Sequence, residues 1–257
     1  MDLDISHLLE HWDYKPGQVV VRRFKGRDGI EKIQLRVDLG LLQMNAEGRP
    51  DGKQPFGFGS LFEFYESKLE KHVSENDGSA DGFKLKAEEC SKLQLESLQY
   101  HHRYICMLQL GDYESVMRDT DRNLSLFEFV SKFAESEDVA WSLKQFQPQL
   151  LMIQTRAQAM QSLEAGDYPT AISQVEEGVE RIRAFFRDQV RPELIEQSGE
   201  IQSLEAWLAE IRDNRPLSAR EKLELALGDA VKREDYEQAA QYRDALRTLE
   251  SQEKSSP

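Results

Sequence analysis

Three short stretches punctuate this chain. They are "LGDYESV" at Leu110–Val116, "AGDYPTA" at Ala165–Ala171 and "REDYEQAAQYRD" at Arg233–Asp244. Each lies between two long runs with helical periodicity. A glycine just past a helix end takes the left-handed conformation at little steric cost, which suits Gly111 and Gly166. An aspartate placed next can accept hydrogen bonds from the free N–H groups of the following helix, which suits Asp112, Asp167 and Asp235. Tyr113 or Tyr168 can then pack back over the turn. The two Gly-Asp-Tyr stretches therefore read as helix stop, helix start and hydrophobic clasp, the third stretch differs from them, and the chain reads as antiparallel helical hairpins.

From Ser60 onward the pattern predicts helices near 60–75, 84–110, 113–135, 140–165, 169–188, 193–213, 218–233 and 236–252. The turns resemble those between paired helices of tetratricopeptide repeats. The spacing departs from that family: Asp112 and Asp167 are 55 residues apart and Asp167 and Asp235 are 68 apart, against a period of 34. Stacked hairpins of this kind are protein-binding surfaces more often than catalytic ones.

The N-terminal part differs. Ile5, Leu8, Leu9 and Trp12 predict a short amphipathic helix, ended by "KPG". Ile33, Leu35, Val37 and Leu39 alternate with Lys32, Gln34, Arg36 and Asp38, the period of a half-buried strand. With "KGRDG" as turn, 18–25 and 30–39 form a predicted β-hairpin. Two strands alone are barely stable, so helices or a third strand from "LLQM" beyond Gly40 must support it. Residues 45–59 follow as a loop rich in glycine and proline. The expected fold is mainly α with a small α+β N-terminal part. The expected domains are a head at 1–59, helical hairpins (TPR-like) at 60–213 and a terminal hairpin at 214–257.

The terminal segment "LSAREKLELALGDAVKREDYEQAAQYRDALRTLE" is more specific. Ser218 and Glu221 form a capping box. Leu223, Leu227 and Val231 line one face. Ala239 and Ala240 allow close helix approach. Glu234, Asp235, Tyr236, Glu237, Ala239, Ala240, Arg243 and Asp244 resemble the UVR motif, the helical hairpin that ends the excision-repair subunit UvrB and recurs in UvrC. That resemblance implies a docking element in which two hairpins pair into a four-helix bundle. It implies no nuclease activity. A hairpin of this size buries too little apolar surface to be stable unaided. The expected contact residues are Leu225, Tyr236, Ala239, Ala240, Tyr242 and Arg243. The N-terminal two-thirds, with "KIQLRVDLGLLQM" and "GRPDG", is also similar to a bacterial family in which this segment precedes helices and a terminal UVR hairpin; this similarity implies architecture only.

Charge limits the partners. The net charge is −14, and residues 61–214 carry 29 acidic against 16 basic residues. Such a surface repels nucleic acid and anionic lipid. The exception is Arg22, Arg23, Lys25, Arg27, Lys32 and Arg36 on the β-hairpin, where DNA contact is the sharp alternative to a solvated face. No run reaches the roughly 20 apolar residues of a membrane span. The N-terminus lacks a secretory signal, so the expected compartment is the cytoplasm. Cys90 and Cys106 fall in one helix, about 24 Å apart, too far to pair within it.

Two metal-like patterns are weaker than their structural alternatives. "HLLEH", His7 to His11, matches the inverted zinc-protease pattern, but Leu8 and Leu9 are needed as core. "DGSADGFKLKAE" places Asp77, Ser79, Asp81, Gly82 and Glu88 at calcium-loop positions of an EF-hand, but it carries Lys84 and Lys86 and has no second loop. The reading is a cytoplasmic adaptor, not an enzyme, with no cofactor and no metal. It binds a protein partner, such as another UVR-type hairpin or a second copy; the alternative cover for the hairpin is the protein's own acidic body. The alternative is an accessory factor of excision repair that touches DNA through the basic strands.

Overall fold

The computed structural model describes residues 4–189, 191–217 and 219–253. Ten helices and three strands are assigned among them. β1 (Val21–Lys25), β2 (Glu31–Val37) and β3 (Gly40–Asn45) form an antiparallel meander in that order, with Val37 opposite Gly40. The third strand is the one that "LLQM" announced. β2 ends at Val37, two residues before the predicted limit, because Asp38 and Leu39 make the two-residue turn to β3. Leu39 is consequently 90% exposed, while Ile33 is fully buried.

The predicted N-terminal helix shrinks to one turn, α1 (Ser6–Leu9). Trp12 serves the sheet instead. Its carbonyl accepts from Arg36 Nε at 2.8 Å, and its ring lies 4.1 Å beneath the Arg22 guanidinium.

The helices then run α2 (Leu61–Glu75), α3 (Ala87–Gln109), α4 (Tyr113–Phe133), α5 (Glu137–Lys144), α6 (Gln147–Glu164), α7 (Tyr168–Asp188), α8 (Gly199–Asn214), α9 (Ala219–Lys232) and α10 (Tyr236–Glu253). The single helix predicted over 140–165 is two, α5 and α6. Pro148 has no N–H and its ring would strike the carbonyl four residues back, that of Lys144, where α5 stops. The helix predicted from 193 begins at Gly199, after a 3-10 turn over Pro192–Leu194.

The three Asp-Tyr turns share one hydrogen-bond pattern. At the first, Asp112 N–H donates to Met107 O (2.9 Å) and Gly111 N–H to Leu108 O (3.2 Å). At the second, Asp167 N–H donates to Ser162 O and Gly166 N–H to Leu163 O, both at 2.9 Å. This is the Schellman arrangement, with Gly111 (φ 73°) and Gly166 (φ 76°) in the left-handed position. Asp112 Oδ1 and Asp167 Oδ1 each accept a backbone N–H three residues on, at 3.1 Å. Burial alone would raise the Asp112 carboxyl, but hydrogen bonds from Arg23 and Ser115 hold it below the usual carboxylate range.

The chain divides into two compact units, one through Leu208 and one from Ala209. In the first, α3 pairs with α4 and α6 with α7, and α4 packs on α6. The sheet and these helices share one core, in which Ile33 and Met44 join Leu93, Tyr104, Val116 and Leu126. Cys90 and Cys106 are free and buried in α3, and burial pushes their thiols up to about 11 and about 12. Among the described residues no helix is long and apolar enough to cross a membrane.

Candidate functional site

The terminal hairpin, α9 and α10, repeats the Schellman turn. Asp235 N–H donates to Ala230 O (2.9 Å) and Glu234 N–H to Val231 O (3.0 Å), while Asp235 Oδ1 accepts from Gln238 N–H at 3.1 Å. Here the left-handed position is held by Glu234 at φ 58°, where the two upstream turns have glycine. A side chain in that conformation costs about 1–2 kcal/mol, partly offset by the chain entropy that glycine would lose, about 0.4–1 kcal/mol. Glu234→Gly is therefore expected to stabilise the hairpin by about 1 kcal/mol. Backbone amide exchange in α9 and α10 of the full chain should slow about fivefold; unchanged exchange would show that the turn carries no such strain.

The interior of the hairpin is thin. Among its described side chains only Ala230 and Ala239 are buried, at 5% and 8% exposure. Leu223, Leu227, Leu246 and Leu249 are half-buried. The alanines let the helices approach, as their size requires. Ala239, expected on the contact surface, lies in the seam. Ala240 is half-buried beside it, because neighbouring helical residues point about 100° apart and only one can face the partner helix. Val231, expected on the inner face, is 51% exposed. Leu225 (57%) and Tyr236 (71%) are open to solvent, Tyr242 is half-buried and Arg243 is exposed.

The tyrosines of the three turns differ most. Tyr113 is buried, its hydroxyl donating to Glu164 Oε1 at 2.9 Å. Tyr168 is half-buried and Tyr236 is bare. The clasp expected of Tyr113 and Tyr168 is thus closed at the first turn and partial at the second, while Tyr236, expected on the contact surface, is open. The charged pairs of the hairpin, such as Arg220 with Glu224 at 2.9 Å, are exposed and contribute little to stability. Of the capping box, Ser218 lies outside the described residues, and Glu221 pairs with Arg215.

The other candidates are occupied or dispersed. Arg22 Nε donates to Gln34 Oε1 (2.7 Å), and Arg23 pairs with Asp112 (2.5 Å). Lys32 pairs with Asp28 (2.6 Å), and Arg36 is spent on the carbonyls of Trp12, Val37, Asp38 and Gly40. Of the six basic residues, Lys25 and Arg27 are exposed and have no such partner among the described residues.

The calcium-loop pattern is not folded as one. Leu85, its ninth position, is buried and tied by its backbone to Phe133 (2.7 Å) and Glu135 (3.0 Å). Glu88 pairs with Lys92 at 2.7 Å, and Asp81 N–H bonds Ser79 Oγ at 3.0 Å, with Asp77 at φ 50°. His11 lies beyond α1, so His7 and His11 share no helical face. Among the described residues no three His, Cys, Asp or Glu side chains gather where they could hold a metal ion.

A second cluster went unread in the sequence. Glu96, Arg103 and Asp119 are each 1% exposed, with Arg122 beside them. Arg103 makes a two-pronged pair with Asp119 (2.6 and 2.8 Å) and donates to the carbonyls of Asn45 (3.1 Å) and Gly48 (2.6 Å). Glu96 accepts the N–H groups of Leu61 (2.7 Å) and Phe62 (3.2 Å), the first of α2. The cluster clamps both ends of the 45–59 loop. The signal was present: Glu96 and Arg103 fall on the same α3 stripe as Leu93, Tyr100 and Met107.

Compared with known families, residues 219–252 match the UvrB/uvrC motif, UVR. A UVR domain therefore occupies α9 and α10. This motif is associated with protein and DNA interaction in excision-repair proteins. No curated protein and no solved structure matches the chain.

Proposed function

We propose that the protein is a non-catalytic adaptor of the bacterial cytoplasm. It docks a protein partner through its UVR hairpin, and the partner surface is another hairpin of the same kind, on a second copy or on another protein. The TPR-like helical pairs of the first unit serve as scaffold. The observation that carries this reading is that Leu225, Val231 and Tyr236 are exposed on a hairpin whose only buried side chains, among those described, are two alanines. Large apolar side chains left open in this way suit an interaction surface. Pairing with another hairpin would bury apolar surface that each hairpin leaves open alone.

The test uses the full chain carrying Leu225→Asp and Tyr236→Asp. Both positions are exposed, so helix content by circular dichroism should be unchanged. Retention of UVR-bearing partners, and self-association by sedimentation, should each weaken at least tenfold, a ratio equivalent to about 1.4 kcal/mol. Binding undiminished by both substitutions would overturn the proposal.

A further inference from the structure

A cavity of about 390 Å3 opens on the first unit, and none of the residues used above for docking lines it. It lies between α3, α4 and the corner where α5 passes into α6, with Phe146, Gln149 and Leu150 on that side. Its floor is Tyr104, Phe127 and Leu143, all nearly inaccessible. Its mouth is ringed by Leu95 (65% exposed), Leu98 (47%) and Phe146 (45%), three large apolar side chains brought together on one surface.

Two features define what fits. First, the lining holds no Asp, Glu, Lys or Arg, in a chain of which 31% is charged. A charged ligand would lose its hydration there with nothing to replace it. Second, the polar lining is neutral: Ser97 and Asn123 hydrogen-bond within the protein, and Gln94, Gln149 and His101 complete it. His101 Nδ1 is 2.7 Å from the Tyr104 hydroxyl, and Nε2 has no partner among the described residues. Burial, with a smaller effect from His102, lowers the pKa of this ring, so it is neutral at pH 7. One ring nitrogen then donates and the other accepts, and which is which depends on the tautomer. A hydroxyl, able to do either, satisfies Nε2 in both cases. The size is also informative: a cavity of about 150 Å3 holds benzene, so this one admits a two-ring molecule.

We propose that this cavity is a binding site for a small, uncharged, largely apolar molecule bearing one hydroxyl, which meets His101 Nε2 while the apolar body lies against Phe127 and Leu143. The site is independent of the UVR hairpin.

The experiment titrates the full chain with 2-naphthol and with naphthalene, followed by ligand-detected magnetic resonance. The hydroxyl compound should bind about five- to tenfold more tightly than the hydrocarbon, the ratio of one net hydrogen bond. His101→Phe keeps an aromatic ring but no ring nitrogen, and should remove that ratio while sparing naphthalene. Leu98→Trp should fill the mouth and abolish both. Leu95→Trp, at a more exposed position and so without consequence for folding, should weaken both. No saturable binding by either compound overturns the proposal. So does equal affinity for the two in the unaltered chain, or binding that survives both tryptophan substitutions.

Discussion

Asp119→Ala is expected to destabilise the first unit by about 4 kcal/mol, within the 3–5 kcal/mol typical of breaking a buried ion pair. The expected fall in melting temperature is roughly 8–16 °C for a unit of this size. The reason is asymmetric. Arg103 and Asp119 are both 1% exposed, and the two bonds between them, 2.6 and 2.8 Å, satisfy Arg103 Nε and Nη2. Removing the carboxylate leaves that guanidinium charged, enclosed and short of two acceptors, since Arg103 Nη1 alone keeps its carbonyl partners. It also strips Arg118 Nε of an acceptor at 3.1 Å.

The double substitution Arg103→Met with Asp119→Leu removes both charges and should recover most of the lost stability, because the pair itself adds little once its desolvation is counted. It should not recover the hold on Asn45 and Gly48. Amide exchange and protease cleavage within 49–59 should therefore rise in the double variant even as its melting temperature returns. Equal melting losses in the single and double variants would mean that the pair contributes net stability.

This cluster also marks the limit of what the sequence could tell. The Asp-Tyr turns were legible because their chemistry is local. A glycine, an aspartate and two helical runs lie within seven residues, and the hydrogen bonds they make close within the same turn. The turn of the UVR hairpin, capped by Asp235, was legible for the same reason. Pro148 carried the break between α5 and α6 in plain view, yet the apolar periodicity runs on across it and masks the clash with Lys144. Glu96 and Arg103 are another case. A charge within an apolar stripe reads as a solvent-facing residue until its partner is placed, and the partners are 26 and 16 residues away on another helix. Within the hairpin, Ala239 and Ala240 were recognised as the close-approach pair. Which one faces the seam depends on helix rotation, and residue type cannot fix that. The exposure of Tyr236 beside the burial of Tyr113 is likewise a matter of what packs over each turn, not of the turn.

Gly178 offers the second large effect, and here even the sign is informative. A glycine in mid-helix costs about 1 kcal/mol relative to alanine, so at an open position Gly178→Ala would stabilise α7. At this position a Cβ would lie 2.1 Å from Thr155 Oγ1, 2.4 Å from its Cγ2 and 2.7 Å from its Cβ. Thr155 is fully buried in α6 and β-branched, so it cannot swing aside, and α6 and α7 must separate instead. Overpacking of this kind costs typically 1–3 kcal/mol and occasionally more. With the clash this short, the net loss is expected to be about 2–3 kcal/mol, a fall of roughly 4–12 °C in melting temperature.

Thr155→Ala should reverse much of it. That change deletes the two nearest atoms, including an Oγ1 that has no hydrogen-bond partner. The two substitutions should therefore be strongly non-additive, with a coupling of about 1–2 kcal/mol, as for residues in direct contact. If Gly178→Ala alone raised the melting temperature, the close crossing of α6 and α7 would be wrong, and with it the packing that sets α6 against α4.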